Sequence, residues 1–520
     1  MTEKIFETTP QVISSGLGVG VGRLVVPLWE QADNIYFDTF AARSNKGHVP
    51  LNWTNLTFDQ YPGTFDAAGG TFDNAGTGFS GILQITEPPT GLFQQRLRAG
   101  GRAVFVGSHT KLWRSDGDTQ FTDVSRAGGY TAMIDGVGAR LATRWSMTQH
   151  GDWVLATNGR EPPQVYKTPG PDFVDLGGTA GLFTTAQLVA KLGPHYLFIN
   201  TDNDPREVRW SADGNPEALD PQIYVNAGRL LLTELSTAAI AAVPLGRGLA
   251  VYSRTEMQML NYIGSWGAIG ASTTALVGVG AVSKQSIVPV GSQNYGLMKS
   301  GIFKTDGVSI QIASDPALGS WLERNVNWEQ GSKIAGRFNP GTKKILWSFP
   351  TKNSTVNDRN LVLDVASGTF SFESGDFAFQ AGTLPDVFID PLVASFNGIV
   401  SYADKGNSFR GGSVNRVLLT KPHDLGKRDK WKVLDVVQVE MKINSGPGPV
   451  LRIGQHFAPE AVGLPAHWTG PFALQPDLKQ FYVEAEGVML SFEFTSGGVD
   501  DDWELNGLKF FGRLEDGSSL

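Results

Sequence analysis

Short apolar stretches that break at polar, glycine-ended turns recur through most of the chain. The plainest is 302–307, which reads IFKTDG, and related pieces are LWRSDG from Leu112, VYKTPG from Val165, VRWSADG from Val208 and YADKGN from Tyr402. Each reads as a strand entering a tight turn, where Asp bonds local backbone and Gly takes the left-handed conformation. The aromatics Trp113, Tyr166, Trp210 and Phe303 precede the turns at spacings of 53, 44 and 93 residues, the last close to two steps. A period of roughly 40–50 residues built of short strands predicts propeller blades. One such unit cannot bury both of its faces, so neighbours must stack in a ring.

The pattern predicts the units in order. From Arg102, RAVFVGS, KLWRS and FTDVS form the first. The second starts at Arg144, with strands over 145–148 and 153–157, a tight turn at Asn158-Gly159, and FVDLGG as its end. A strand pair from Leu188 to Asn200 leads into VRWSADGNPEALDP. LGRGLAVYSRTEMQMLNYIG and NYGLMKSGIFKTDGVSIQIAS supply the fourth and fifth. A helix is predicted from Pro316, capped by Ser314 or Asp315, with Leu318, Trp321 and Leu322 on one face. A long hairpin follows in KKILWSFPTKNSTVNDRNLVLDVASGTFSFES, and 392–419, with LVASFNGIVSYADKG and RVLLT, forms the last unit. The expectation is an all-β chain: a β-propeller of about six to seven blades over 101–420.

The polar stretch KPHDLGKRDK from Lys421 reads as a linker. Beyond it, VVQVEMKI, VLRIGQ, FYVEAEGVMLSFEFTS and WELNGLKFFGR alternate apolar and polar residues, which predicts a C-terminal antiparallel β-sandwich over 430–517. Residues 1–100 read as an extended, loop-rich segment that contributes to ring closure or a subunit contact. Their glycines Gly16, Gly18, Gly20 and Gly22 alternate with apolar residues but do not form a phosphate-cradling G-x-G-x-x-G loop, and 63–80 reads as a long loop.

Composition narrows the function classes. A chain of 520 residues needs two or three domains, or one large ring with an appendage. Sixty-three Gly and 28 Pro at 18% charged residues fit a turn-rich globular protein, and 13 Trp with 30 Phe supply a large core. There is no Cys, which removes disulfides and thiolate chemistry. The opening MTEKIFETTP shows no secretory signal, and the apolar stretches 238–252 and 269–282 are too short to span a bilayer, so they read as buried strands. The formal net charge of −8 argues against a surface that grips nucleic acid.

Candidate chemistry is sparse. Ser115-Asp116-Gly117-Asp118-Thr119 and Ser211-Ala212-Asp213-Gly214 approach the Asp-box of sialidase-like propellers but break its spacing, and turn chemistry accounts for both. Arg144, Arg206, Arg209 and Arg254 are the arginines that would have to converge on a substrate carboxylate. Asp202 with Asp204, and the run Asp500 to Asp502, are carboxylate clusters of the kind that bind Ca²⁺, yet neither matches a twelve-residue EF-hand loop. His48, His109, His150, His195, His423, His456 and His467 show no metal-ligand spacing. Ser496 has Phe494 where a nucleophile elbow needs glycine. Trp113, Trp210 and Trp347 read as packing residues rather than a sugar platform. No catalytic, cofactor-binding or metal-binding residue is assigned, no cofactor is expected, and the chain reads as a non-enzyme.

The ordered stretches WSMTQHGDWVLATNGREPPQVY from Trp145, VRWSADGNPEALDP from Val208, ILWSFPTKNSTVNDRNLVLDVASGTFSF from Ile345 and MLSFEFTSGGVDDDWELNGLKFFGR from Met489 resemble the β-propeller proteins of bacteriophage tails, the nozzle or hub family beneath the portal. The resemblance covers about 100–515. It implies a structural virion protein, six copies in a ring around the tail channel, contacts with the head–tail connector and other tail proteins, and transient passage of double-stranded DNA without specific binding. It also implies assembly in the host bacterial cytoplasm and residence in the virion tail, with no membrane segment. The alternative is a glycan-binding or glycan-cleaving propeller used in host recognition.

Overall fold

Strands dominate because nearly every apolar run is short, β-branched or aromatic, and closed by a turn residue. The computed structural model describes residues 3–7, 29–37, 42–44, 46, 49–50, 84–116, 120–131, 144–264, 268–314, 316–375, 377–381, 391–404, 413–425, 430–457, 465–476, 480–498 and 501–516. Among these, six successive sheets each contain a run of four antiparallel strands joined in sequence order, and a seventh holds three such strands and a fourth from elsewhere. They span 91–123, 146–175, 186–231, 241–277, 287–312, 335–374 and 377–402. The seventh takes its last strand from far away: Val49–Pro50 pairs with Val400–Tyr402. The first strand of each unit touches the first strand of the next, and Phe377–Ala381 of the seventh returns to Gly91–Arg96 of the first. The chain is all-β and propeller-like.

The aromatics that mark the repeat fall on one structural position. Trp113, Tyr166, Trp210 and Phe303 lie on the third strands of their units, Leu112–Asp116, Gln164–Lys167, Glu207–Trp210 and Gly301–Thr305. The double step between Trp210 and Phe303 holds the fourth unit. From these positions the side chains fill the seams between units. Phe105 of the first unit packs edge-on against Tyr166 and Phe173 of the second, with centroids 5.4 and 5.8 Å away. Leu197, Val208 and Trp210 share a core with Leu249 and Leu260 of the fourth unit. Phe303 shares one with Tyr252 and Ala250. Ring closure is apolar too: Leu92, Val104 and Val106 of the first unit pack with Leu392 and Val400 of the seventh. Arg102 reinforces that closure, its guanidinium 5.0 Å above the Tyr402 ring and bonded to the Tyr402 hydroxyl. Glycine makes room for the larger rings. A Cβ at Gly107 would stand 2.2 Å from Cδ1 of Trp145, so the indole can lie flat on that strand only because the side chain is absent.

The helix runs from Pro316–Asn325 and buries Leu318 and Leu322 in the core between the fifth and sixth units, with Trp321 against Phe372. The Ser314 hydroxyl accepts the Ile302 N–H at 3.0 Å and so ties the chain before the helix to the fifth unit. Asp315 lies outside the described residues, as do the glycine-rich 16–22 and the stretch 63–80.

After the ring, two antiparallel sheets face each other. Lys430–Ser445, Gln480–Gly487 and Asp502–Asp516 form the centre of one, joined by Glu3–Glu7 and Ala42–Ser44, with Ile35–Phe37 beside the last. Arg416–Thr420, Met489–Ser496, Val450–His456 and His467–Ala473 form the other, with Trp29–Asp33 at its inner side. Leu418, Leu434, Val437, Leu451, Phe492 and Trp503 fill one core between them. The second sheet continues into the sixth ring unit, because Trp29–Asp33 meets Phe370–Ser374 through the pair Asp33 and Phe372. Ring and appendage are thus joined by hydrogen-bonded strand as well as by chain.

Three readings of the sequence differ from this arrangement. The first unit begins at Gly91–Arg96, not at Arg102, because GLFQQR is a strand whose Gln94 and Gln95 are buried and so breaks the apolar pattern. RVLLT is not part of the seventh unit: Arg416–Thr420 pairs with Trp29–Asp33 and Met489–Ser496. Its alternation of inward and outward residues suits either sheet, and strand pairing decides between them. Finally, the chain before residue 101 supplies strands as well as extended segments: Val49–Pro50 completes the seventh unit, and Glu3–Glu7, Trp29–Asp33 and Ala42–Ser44 join the C-terminal sheets.

Candidate functional site

Three polar features stand out against the apolar seams. The first is the seam between the sixth and seventh units. Arg337 and Asn339 on Ala335–Asn339 meet Asp404, which follows the third strand of the seventh unit. The guanidinium makes a two-pronged bond to the Asp404 carboxylate, 3.0 Å on each side, and the Asn339 amide donates to it at 2.7 Å. Lys344 and Glu373 sit in the same buried group. Burial, then the charge of Asp404, pushes the Glu373 carboxyl above the usual carboxylate range, and burial pulls the Lys344 ammonium down. Each charge here is held by the others.

The second feature lies at the end of the ring where the first strands begin. Lys284 precedes the fifth unit, yet its ammonium donates to the carbonyls of Arg144 and Gln187 at 2.6 Å each. Those residues belong to the starts of the second and third units, so the side chain ties across the middle of the ring. Burial, and then repulsion from Arg144, brings its pKa down to about 7. This predicts a measurable pH effect. Between about 7 and the usual lysine value the unfolded chain holds the proton and the folded chain does not, so stability rises with pH across that window. The slope from this one group is about 1.4 kcal/mol per pH unit. Denaturant unfolding at pH 7, 8 and 9 should show that rise in the parent relative to Lys284→Met; parallel curves would remove Lys284 as its source.

The third feature is a cavity of about 580 Å³ opening between the third and fourth units on the same face. Arg254, Gln187, Asp202 and Thr237 line it, with Pro205 and Ile240 as apolar wall. Asp202 Oδ1 accepts the Thr184 and Thr185 N–H groups at 2.9 and 3.1 Å. Although burial opposes it, those bonds hold the carboxyl below its ordinary value.

The residues singled out by sequence are mostly committed to local structure. Asp116 pairs with Arg114 at 2.8 Å beside a buried Ser115, and 117–119 lie outside the described residues. In the second Asp-box-like stretch, Ser211 accepts the Tyr196 N–H, Asp213 stands 3.1 Å from His195 Nε2, and Gly214 has φ +66°. These contacts tie the turn to the neighbouring hairpin. The four arginines do not share a site: Arg206 pairs with Asp204, Arg209 with Glu207 at 3.0 Å, Arg144 lies buried beside Lys284, and Arg254 alone reaches the cavity. Asp501 accepts the Gly498 N–H at 2.7 Å and Asp502 binds Lys46 at 2.8 Å and Ser44, while Asp500 lies outside the described residues.

The described histidines are dispersed. His150 touches the Tyr196 hydroxyl at 2.5 Å, His456 touches Ser491 at 3.1 Å, and His423 accepts the Leu425 N–H at 2.8 Å. His109 is half-buried and His467 stands 5.7 Å from the ring of Phe457; His48 lies outside the described residues. Among the described residues, no group of three or more His, Cys, Asp or Glu is placed to hold a metal ion. Ser496 accepts the Trp503 indole N–H at 3.0 Å inside the C-terminal core. The indoles of Trp113, Trp210 and Trp347 donate to Ser108, Asn226 and Ser286 respectively. Among the described residues, no helix is long and apolar enough to cross a membrane. Sequence reading missed Gln187, Lys284 and the Arg337–Asp404 pair, which carry no local motif.

No protein-family model matches the chain, and no curated protein matches it. Solved structures overlap it loosely. The WD40 β-propeller domain of Doa1 does so at 9% identity and TM-score 0.37, over 61% of this chain and 95% of that one. YCF48 bound to D1 peptide does so at 10% identity and TM-score 0.38, over 62% and 95%. The extracellular domain of a putative hybrid two-component system from B. thetaiotaomicron does so at 10% and 0.39, over 71% and 45%. Likeness at this level brings neither activity nor partner to this chain.

Proposed function

We propose that this chain is a structural virion protein of a bacteriophage tail, a nozzle or hub subunit. In this reading the seven four-stranded units are the blades of one propeller, and the two facing C-terminal sheets are a β-sandwich. Copies of the chain, six by the family resemblance, form a ring that lines part of the DNA exit path beneath the head–tail connector. The observation that carries the reading is how the chain uses its polar groups. The buried charges at Arg337, Asp404, Lys344 and Glu373 hold one seam, and Lys284 ties three units together at the axis. Strands from before residue 51 fasten ring to appendage. Such an arrangement resists deformation and leaves little chemistry in reserve.

The Lys284 tie also bears on where DNA would pass. A duplex about 20 Å wide, as its groove dimensions imply, needs more room than the middle of one such ring, which a side chain crosses. The path would therefore run between copies. A net charge of −8 suits a wall that a polyanion slides past. The test is assembly: purified full-length chain, studied by sedimentation and electron microscopy at rising concentration, should form closed rings with a lumen wider than a duplex. A strictly monomeric chain that is also missing from phage particles by mass spectrometry would overturn the proposal.

A further inference from the structure

We propose that the cavity between the third and fourth units binds a polyhydroxylated carboxylate, the chemistry of a uronic-acid sugar unit. At about 580 Å³ the cavity has the size of a small-ligand site. Its groups ask for two kinds of partner at once. Arg254 is exposed at its wall and, among the described residues, makes no ion pair, so it offers a planar fork of donors to a carboxylate. Asp202 presents the opposite need: exposed at the same cavity and held ionised by the Thr184 and Thr185 N–H groups, its carboxylate is an acceptor for ligand hydroxyls.

The charge pattern selects among anions. One guanidinium beside one fixed carboxylate suits a ligand with a single negative charge and several O–H donors. A phosphate with two charges would meet Asp202 at close range and be repelled. Pro205, Ala238 and Ile240 give an apolar wall for the C–H face of a sugar ring. Lys284 stands behind this wall and donates to the Gln187 carbonyl at 2.6 Å, which fixes the strand that carries Gln187.

The site rests on one chain's own residues and is independent of ring assembly, so its test can fail without touching the proposed tail role. The experiment is titration calorimetry of the full chain with galacturonate, which carries one carboxylate, using neutral galactose as the control. Saturable binding of galacturonate is expected, with the neutral sugar at least about tenfold weaker. Arg254→Met should weaken galacturonate by about tenfold or more and bring it level with galactose. Arg254→Lys, which keeps the charge but loses the fork, should fall between. Hydrogen exchange should show ligand protection at the amides of 185–187 and 237–240. No saturable binding, equal binding of the neutral sugar, or unchanged affinity in a folded Arg254→Met chain would each overturn the assignment.

Discussion

Asp404→Ala should destabilise the chain by about 3–5 kcal/mol, because it leaves the Arg337 guanidinium buried without its counter-charge. The Arg337 side chain is only 1% exposed and its two bonds to Asp404 are 3.0 Å each. Removing the carboxylate also strips Asn339 of its acceptor and leaves Lys344 with one anion fewer. The loss should appear as a lower denaturation midpoint and as faster hydrogen exchange in 335–339 and 400–402. The double variant Arg337→Met with Asp404→Leu should cost less than Asp404→Ala alone, since no orphan charge remains. A cost under about 1 kcal/mol for Asp404→Ala would mean that water reaches this seam and that the pair does not hold it.

Removing residues 1–50 should have the second large effect. That segment carries Val49–Pro50, which pairs with Ser401 and Tyr402 to finish the seventh unit. It also carries Ala42–Ser44 against Asp502–Asp516, and Trp29–Asp33 between Arg416–Thr420 and the sixth unit. Ser44 accepts the Trp503 N–H at 3.1 Å and Arg43 pairs with Glu504 at the same distance. The truncated chain should expose strand edges on both ring and appendage, and edges of that kind recruit other chains. The expected result is aggregation on purification. Where soluble material survives, limited proteolysis should cut first in 391–404 and 413–425. A truncated chain that stays monodisperse with the parent's unfolding midpoint would show that these strands decorate a ring already closed without them.

The repeat was legible in the sequence where the third strand ends in an aromatic and a glycine turn. Trp113, Tyr166, Trp210 and Phe303 all mark that strand, and the doubled spacing held one more unit, at 241–277. What the sequence hid was pairing at long range. Val49–Pro50 is two residues long, too short to show any period, and its partner lies about 350 residues away. GLFQQR shows no strand period because a first strand buried on both sides need not alternate, and Gln94 accepts an Arg102 N–H inside. The cavity was hidden for a different reason. Gln187 and Asp202 meet through the first hairpin of the third unit, and only the stacking of the fourth unit brings Arg254 to them. Of the four arginines weighed from sequence, Arg254 is the one that reaches that space.

The central claim is that the chain holds a shape within a larger assembly. Electron cryomicroscopy of intact phage particles containing it tests this most directly. The account predicts density for several copies of this fold in a closed ring below the head–tail connector, with the DNA path between copies and Lys284 still crossing the middle of each. Particles whose tail lacks the chain, or copies set singly at the periphery away from the DNA path, would contradict it.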